Sequence, residues 1–451
     1  MLGRAGHLLW ERFLPLRLAA PPLAGMHRAQ HSHWLQRRQF GAPASGEAST
    51  TLKDLELIRN TVARFAQEQV APGVFKREQQ GSIEPALWKA LFVQGLMGLE
   101  TPPELGGSGL TFTDTCVVIE ELAKVDPSVA LVVDIQNTLL NRAVRHFGTD
   151  EQRAAWLPRL AADTVGAFAL SEPEAGSDAF SLRTRAEAVR SDFASSEAYV
   201  LNGSKCWISN AAEARWMLVF ATADPTRQHR GITAFVIDQV EEAKSQGQIQ
   251  VSPKEDKLGI RAASCCQVHF HQCRISAGHQ ILGGLGNGAQ VAMRVLNEGR
   301  IGIAAQMVGL AQGALEATLP YLETRHQFQR PLIANQGLQF QVAQAFAELE
   351  AVRALVYQAA RLVDEKQGQE SSEQLAEIAR QAACAKLLAA QVACRVTRRC
   401  VEWMGGMGFI RQTPQEKFYR DAIIGKIYEG TENMQLSTIF RFLRFVHKEE
   451  R

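Results

Sequence analysis

The strongest chemical signal in this 451-residue chain is a single carboxylate near its C-terminal end. In the stretch from Phe418 to Leu436, the apolar run Ala422-Ile423-Ile424-Gly425-Lys426-Ile427-Tyr428 breaks at Glu429-Gly430, and a new amphipathic segment opens at Thr431. This pattern predicts Glu429 on a turn, with its side chain in apolar surroundings. Desolvation raises a glutamate's pKa towards neutrality, which makes the carboxylate a stronger proton acceptor while leaving it able to ionise. A general base is the chemistry such a residue could do. The plainer alternative is a helix-terminal Glu beside a C-cap glycine, and an isolated Glu-Gly pair does not decide between them.

The chain that must position this residue divides into three by hydrophobic period. From about Leu52 to Thr164 the pattern is helical. The run 65–72 predicts a helix ended by Pro72, Leu87 to Leu96 a second, and Val117 to Val125 a third stopped by Asp126-Pro127; the Gly/Pro-rich run 102–109 reads as a loop. An all-α first domain is expected over 52–164. The middle third, 165–283, holds short runs rich in β-branched and aromatic residues at Glu197 to Leu201, Trp216 to Thr222, Gly231 to Asp238, Ile249 to Ser252 and Cys266 to Phe270. Turn clusters such as Asn202-Gly203-Ser204 and Asp224-Pro225 separate them. Strands without intervening helices predict an antiparallel β domain.

From 287 to 445 the helical period returns. Ile303, Met307, Leu310, Ala314 and Ala317 form one stripe, Val342 to Val363 a second, and Ile378, Ala382, Ala385, Ala389, Val392 and Val396 a third. Stripes of this length predict long helices packed as a four-helix bundle, with a hairpin over 364–373. The expected fold is therefore α+β: helical domain, β domain, helical bundle. The Gly-rich run 283–288 lacks the order Gly-x-Gly-x-x-Gly and has no βαβ unit around it, so it is read as the turn between the second and third domains.

Composition bounds the partners. The first forty residues carry six arginines, Arg4, Arg12, Arg17, Arg28, Arg37 and Arg38, against the single acid Glu11, which is the character of a mitochondrial transit peptide. Its removal takes the net charge from +2 to about −3, which gives no reason to expect nucleic acid as a partner. No apolar run reaches the roughly 18 residues of a membrane span. The eight cysteines show no metal-ligand spacing and are expected to be free, with no zinc and no disulfides.

Two motifs bracket the last two domains: Phe168-Ala-Leu-Ser-Glu-Pro-Glu-Ala-Gly-Ser-Asp178 opens the β domain and Tyr428-Glu429-Gly430-Thr431 closes the bundle. With the three-domain order, they resemble the acyl-CoA dehydrogenase family over about 52–445. The runs 92–100, 119–125, 297–307 and 400–406 look most like its branch for short and branched acyl chains. The resemblance implies FAD as cofactor and Glu429 as the base that removes the α proton while the β hydrogen leaves as hydride. It also implies that the Glu429 N–H holds the thioester oxygen. In some members the base sits just before the arginine corresponding to Arg300; here that position is Gly299, which has no side chain to titrate.

By the same resemblance, Phe168, Ala169, Leu170, Ser171, Glu172, Pro173, Glu174, Ala175, Gly176 and Ser177 wrap the flavin, Trp207, Ile208 and Ser209 pack on it, and Thr431, Glu432 and Asn433 extend its site. Arg325, Gln336, Glu402, Trp403, Met404, Gly405 and Gly406 are similar to residues that bind the FAD diphosphate and adenosine across a dimer contact. Ser177, His229, Asn297, Glu298, Gly299, Arg300 and Gly430 correspond to acyl-CoA contacts. Three positions depart from the family pattern. Gln329 replaces a turn glycine in Arg325-His-Gln-Phe-Gln329, His229 stands in place of an aromatic hydroxyl, and Ala289 replaces an aromatic residue. The implied activity is dehydrogenation of short or 2-methyl-branched acyl-CoA, with electrons passed to electron-transfer flavoprotein by a homotetramer in the mitochondrial matrix. The alternatives are an acyl-CoA oxidase, disfavoured by the C-terminal Glu449-Glu450-Arg451, and a flavin-binding assembly factor that has lost catalysis.

Overall fold

The computed structural model describes residues 52–189, 198–366 and 371–449. The segment 1–40, read from the sequence as a transit peptide, and part of the 364–373 hairpin lie outside them.

The first unit is helical: α1 (Leu52–Phe65), α2 (Val74–Gln80), α3 (Pro85–Val93), α4 (Phe112–Ala123), α5 (Pro127–Asp134), α6 (Arg142–Phe147) and α7 (Asp150–Ala162). Sequence chemistry fixes several starts. Thr111 and Asp114 form a reciprocal capping box on α4, Thr149 and Gln152 another on α7, and Asp126 accepts from the Ser128 N–H, with Pro127 at the first helical position of α5. Pro72 does not end the helical path as expected: a π-helical turn, Ala66–Val70, and a 3-10 turn, Ala71–Gly73, carry it into α2. Proline is tolerated there because it occupies a first-turn position, where no intrahelical N–H is needed.

The second unit is a sheet of β1 (Gly166–Ala169), β2 (Arg185–Val189), β3 (Ala198–Ser209), β4 (Trp216–Thr222), β5 (Ile232–Ile237), β6 (Ile249–Val251), β7 (Cys265–Ser276) and β8 (Ile281–Leu282), with a short helix α8 (Val240–Ser245). Its strand order is β6-β7-β3-β2-β4-β5-β8, with β1 beside β4. Most pairs are antiparallel as expected, but β1 runs parallel to β4 and β2 meets β4 through one parallel pair, so the sheet is mixed. Asn202-Gly203-Ser204 is not a turn. The strand β3 continues through it with a register shift between Leu201 and Gly203. Gly203 has φ +150, and a Cβ there would lie 2.6 Å from the Thr184 hydroxyl, so the glycine serves close strand packing. All of β4 is buried because both its faces are covered. Trp216, Leu218 and Phe220 join the helical core, and Met217, Val219 and Ala221 join a second core inside the sheet.

The third unit is built on α9 (Gly288–Thr324), α10 (Gln336–Glu365) and α11 (Ser372–Met404), followed by α12 (Gln415–Ala422) and α13 (Glu432–Glu449). The apolar stripes read from the sequence are the buried faces of the three long helices. A buried ionic junction ties the units together. Arg77 bonds Asp126 at 3.1 Å, Lys417 bonds Asp126 at 3.3 Å and Asp421 at 2.6 Å, and Asp421 accepts the Ile260 N–H at 2.6 Å. The α12 helix, which leads into the turn before α13, is thereby held against the first domain.

Candidate active site

The α12 helix ends in the 3-10 turn Ile423–Lys426, and the chain then makes a sharp turn at Glu429 and Gly430 before α13 begins. Both residues have positive φ, +53 for Glu429 and +91 for Gly430. Glycine adopts this conformation readily, but a non-glycine residue there is strained and persists only when its surroundings hold it. Three elements do so. The Arg300 Nε of α9 donates to the Glu429 carbonyl at 3.1 Å, and the Gln435 Nε2 of α13 donates to the same oxygen at 3.1 Å and to the Gly430 carbonyl at 2.8 Å. Lys386 Nζ of α11 donates to the Gly430 carbonyl at 2.6 Å. Tyr428 is fixed in turn through its hydroxyl, which donates to Gln306 Oε1, while Gln306 Nε2 donates to the Pro127 carbonyl at 2.7 Å.

With its carbonyls tied back, the turn presents the Glu429 side chain to α9. A Cβ built on Gly299 would lie 3.3 Å from both Cδ and Oε1 of Glu429 and 2.9 Å from Leu139. Gly299 is thus the gap that the carboxylate rests against. The residue as a whole is half-buried, yet its Oε2 is fully enclosed and has no hydrogen-bond partner. Burial lifts the carboxyl to about 7, and the positive charges of Arg300 and Lys386 restrain the rise. A second acid, Asp134 at the end of α5, is buried nearby. Burial, and then the negative charge of Glu429, push it well above the usual carboxylate range. Gly302 makes room for it: a Cβ there would fall 2.1 Å from Asp134 Oδ1.

The structure therefore brings Glu429, Gly430, Gly299, Arg300 and Asn297 together, the last by accepting from Arg300 Nη1 at 2.9 Å. It does not bring Glu298 with them. That side chain points to another face of α9, about 100° round from Gly299, fully buried, where Arg142 holds it at 2.6 Å, Arg294 at 3.0 Å and His146 at 3.3 Å. Burial alone would raise its pKa, but these partners hold it well below the carboxylate range. A charge so fully paired is an anchor for the helix rather than a substrate contact.

The segment 168–177 follows β1 along the edge of the sheet. Phe168 packs against Phe220 with the rings tilted by 53° and centroids 4.9 Å apart, Ala169, Leu170 and Ala175 are buried, and Pro173, Glu174, Gly176 and Ser177 are exposed. Lys205 fastens this segment from beneath, donating to the Leu170 carbonyl at 2.8 Å and to Glu172 at 2.7 Å, while the Cys206 N–H reaches the Ser171 carbonyl at 3.0 Å. Glu172 also accepts the Arg183 N–H at 2.6 Å and the Thr184 N–H at 3.1 Å. Its carboxylate is consumed inside the protein, so the expectation that Glu172 contacts a cofactor is corrected for its side chain. Trp207 stands on a second irregularity of β3, between Lys205 and Ile208. It has φ +59 and is 65% exposed, whereas Ile208 beside it is buried and Ser209 half-buried. Turning a large ring outward at a strained position is the device expected of a stacking surface.

Thr431, Glu432 and Asn433 open α13. Thr431 accepts the Met434 N–H, Glu432 lies 3.5 Å from Lys426 with its Oε1 buried and unpartnered, and Asn433 is exposed. His229 is exposed on the 3-10 segment Pro225–Gly231, and Ala289 is buried in the first turn of α9. Arg325 and Gln336 are exposed where α9 hands over to α10. At the end of α11, Glu402 pairs with Arg398 at 3.4 Å, the Trp403 indole donates to Gln341 at 3.1 Å, Met404 is buried, and Gly405 and Gly406 stand open. None of these seven residues bonds to the Glu429 turn within the described chain. Sequence reading missed Lys386, Gln435, Gln306 and Asp134. The one available signal was Lys386, a charge four residues after Ala382 on an otherwise apolar stripe.

Three family models match consecutive segments: "Acyl-CoA dehydrogenase, N-terminal domain" over residues 53–164, "middle domain" over 167–273 and "C-terminal domain" over 286–443. The mitochondrial short/branched chain specific acyl-CoA dehydrogenase of Rattus norvegicus is 46% identical over 387 residues, 86% of this chain and 85% of its own length. The butyryl-CoA dehydrogenase of Megasphaera elsdenii has a similar structure, with TM-score 0.80, 33% identity, and coverage of 88% of this chain and 99% of that one. An acyl-CoA dehydrogenase of Bacillus anthracis complexed with FAD gives TM-score 0.80 at 28% identity, covering 89% of this chain and 68% of that one.

Proposed function

The chain belongs to the acyl-CoA dehydrogenase family, and on that premise we propose that it converts short or 2-methyl-branched acyl-CoA to 2-enoyl-CoA, with Glu429 as the base. The observation that carries the reading is the enclosed, unpartnered Oε2 of Glu429 on a turn whose carbonyls are all tied back. A carboxyl poised at about 7 is ionised in a useful fraction near neutrality and still basic enough to accept an α proton. Its own N–H donates to none of the described residues and is left to hold a thioester oxygen, where it would stabilise the negative charge that develops as the proton leaves.

The residues present fit FAD. Trp207 offers an outward-facing ring, Ser171 a half-buried hydroxyl, and Lys205 pins the intervening segment so that its outer edge can lie along a flat ring system. When bound, FAD supplies the acceptor for the β hydride. The chain's own work is to bind and orient the thioester, keep water from the carboxylate and take the proton at Glu429. Arg325, Gln336 and residues 402–406, all remote from Glu429, suit an FAD diphosphate and adenosine reaching over from a second copy. The exposed Phe328, Phe340, Phe409, Leu436, Phe440 and Leu443 supply apolar surface for such a contact, which supports a homotetramer. On this reading electron-transfer flavoprotein is the onward acceptor and the mitochondrial matrix the location, and a mitochondrial relative supports the latter.

The test is enoyl-CoA formation by the purified protein with an artificial acceptor, compared with oxygen, across butyryl-, hexanoyl-, isobutyryl- and 2-methylbutyryl-CoA. The highest kcat/KM is expected on a short or 2-methyl-branched substrate, with slow turnover on oxygen. Absence of enoyl-CoA from every substrate by a flavin-loaded protein would overturn the reading, and fast peroxide formation would make the protein an oxidase.

A further inference from the structure

Lys386 lies on the buried face of α11 with 1% of its surface exposed. The other two buried lysines answer a carboxylate directly, Lys205 with Glu172 at 2.7 Å and Lys417 with Asp421 at 2.6 Å. Lys386 makes no ion pair among the described residues. Its one hydrogen bond goes to the Gly430 carbonyl, which Gln435 already satisfies. The bond is redundant, so it does not explain why a cation is kept where burying one is costly. What Lys386 adds that Gln435 cannot is charge.

We infer that Lys386 is a positioning residue for Glu429, supplying from beneath the turn the buried positive charge that keeps the enclosed carboxylate able to ionise. This rests on Glu429 being the base. The groups facing that carboxylate from each packed element are Arg300 of α9, Lys386 of α11, Asp134 of α5 and the neighbouring Tyr428. Asp421 lies beyond Tyr428, and Glu432 of α13 acts on Lys386. Burial lowers Lys386 to about 8, which Glu429 partly offsets, so the lysine is mostly charged at the Glu429 midpoint and loses its charge above it. Arg300 donates to Asn297 and to the Glu429 carbonyl and Lys386 to the Gly430 carbonyl, so among the described residues neither cation is paired with a carboxylate at bonding distance.

The experiment uses full-length holoenzyme and the variants Lys386→Gln and Lys386→Met. Gln keeps a hydrogen-bond donor on a slightly shorter side chain but carries no charge. Two readouts are taken: the pH profile of kcat/KM, and an infrared titration of the Glu429 carboxyl with Glu429→Gln as blank, which needs no turnover. Both variants should move the Glu429 midpoint upward. A shift of one unit lowers kcat/KM on the acid limb about tenfold and leaves the alkaline plateau of Lys386→Gln near wild type. A Lys386→Gln midpoint coincident with wild type, whether or not activity falls uniformly, would reduce Lys386 to packing and overturn the inference. If Lys386→Met fails to fold, Lys386→Gln decides. If Glu429→Gln turns over normally, the base assignment fails, while the infrared midpoint still tests the coupling separately.

Discussion

Glu298, fully buried on α9, and Glu429, half-buried with its Oε2 enclosed against the neighbouring Gly299, are put to opposite uses. Glu298 is held by Arg142, Arg294 and His146, which overcome the cost of burial and fix it as an anion. Glu429 has an unpartnered oxygen, rests against a glycine and feels its cations only through space, so burial dominates and its carboxyl rises to about 7. Burial alone therefore does not make a base. The difference lies in whether hydrogen-bonded cations are brought to the carboxylate or withheld from it, and here the nearest ones, Arg300 and Lys386, are spent on the carbonyls of the turn.

Breaking the anchor side should have the largest effect. Arg142→Met leaves Glu298 and Glu100 facing each other with only the partly exposed Arg145 and Arg294, and His146, to answer them. A loss of about 3–5 kcal/mol in unfolding free energy is expected, read by denaturant titration. On the other side, Glu429→Gln should stabilise the protein. A carboxyl raised from 4.5 to about 7 in the folded state binds protons that the unfolded chain releases, so its stability contribution is fully present below about pH 4.5 and is lost as pH rises through 7. Calorimetry at pH 8 should find the variant more stable by on the order of 1–3 kcal/mol, shrinking towards zero at pH 4.5. The smallest effect is expected of Gly299→Ala. The added methyl presses on Leu139 and the carboxylate, but alanine favours the helix by about 1 kcal/mol, so unfolding free energy should change by under about 1 kcal/mol. The kcat/KM should still fall several-fold, because the carboxylate is pushed from its place.

The long helices of the bundle were legible because a 3.6-residue stripe persists over about fifteen to twenty residues in each, and β4 because nearly all of its run is apolar. The strands β1 and β2 escaped notice: Gly166–Ala169 is too short to show a period, and in β2 only Ala186 is buried. The turn at Glu429 was readable from Glu-Gly between two periodic runs. The partners that tune it were not, because Arg300, Lys386 and Gln435 come from three helices whose rotation about their axes a sequence pattern leaves open. Glu298 shows the same limit from the other direction: its neighbours in sequence, Asn297, Gly299 and Arg300, gather at the Glu429 turn, and it does not.

The central claim is that Glu429 takes the proton because burial has made it a base near neutrality. Its most direct test is anaerobic mixing of flavin-loaded protein with 2-methylbutyryl-CoA or butyryl-CoA, following flavin bleaching against pH in wild type and Glu429→Gln. The account predicts bleaching in wild type with a midpoint near 7, and in Glu429→Gln a rate at least ~10²-fold lower at every pH with substrate binding retained. Bleaching of the variant at the wild-type rate, or a wild-type midpoint at an ordinary carboxylate value, would contradict it.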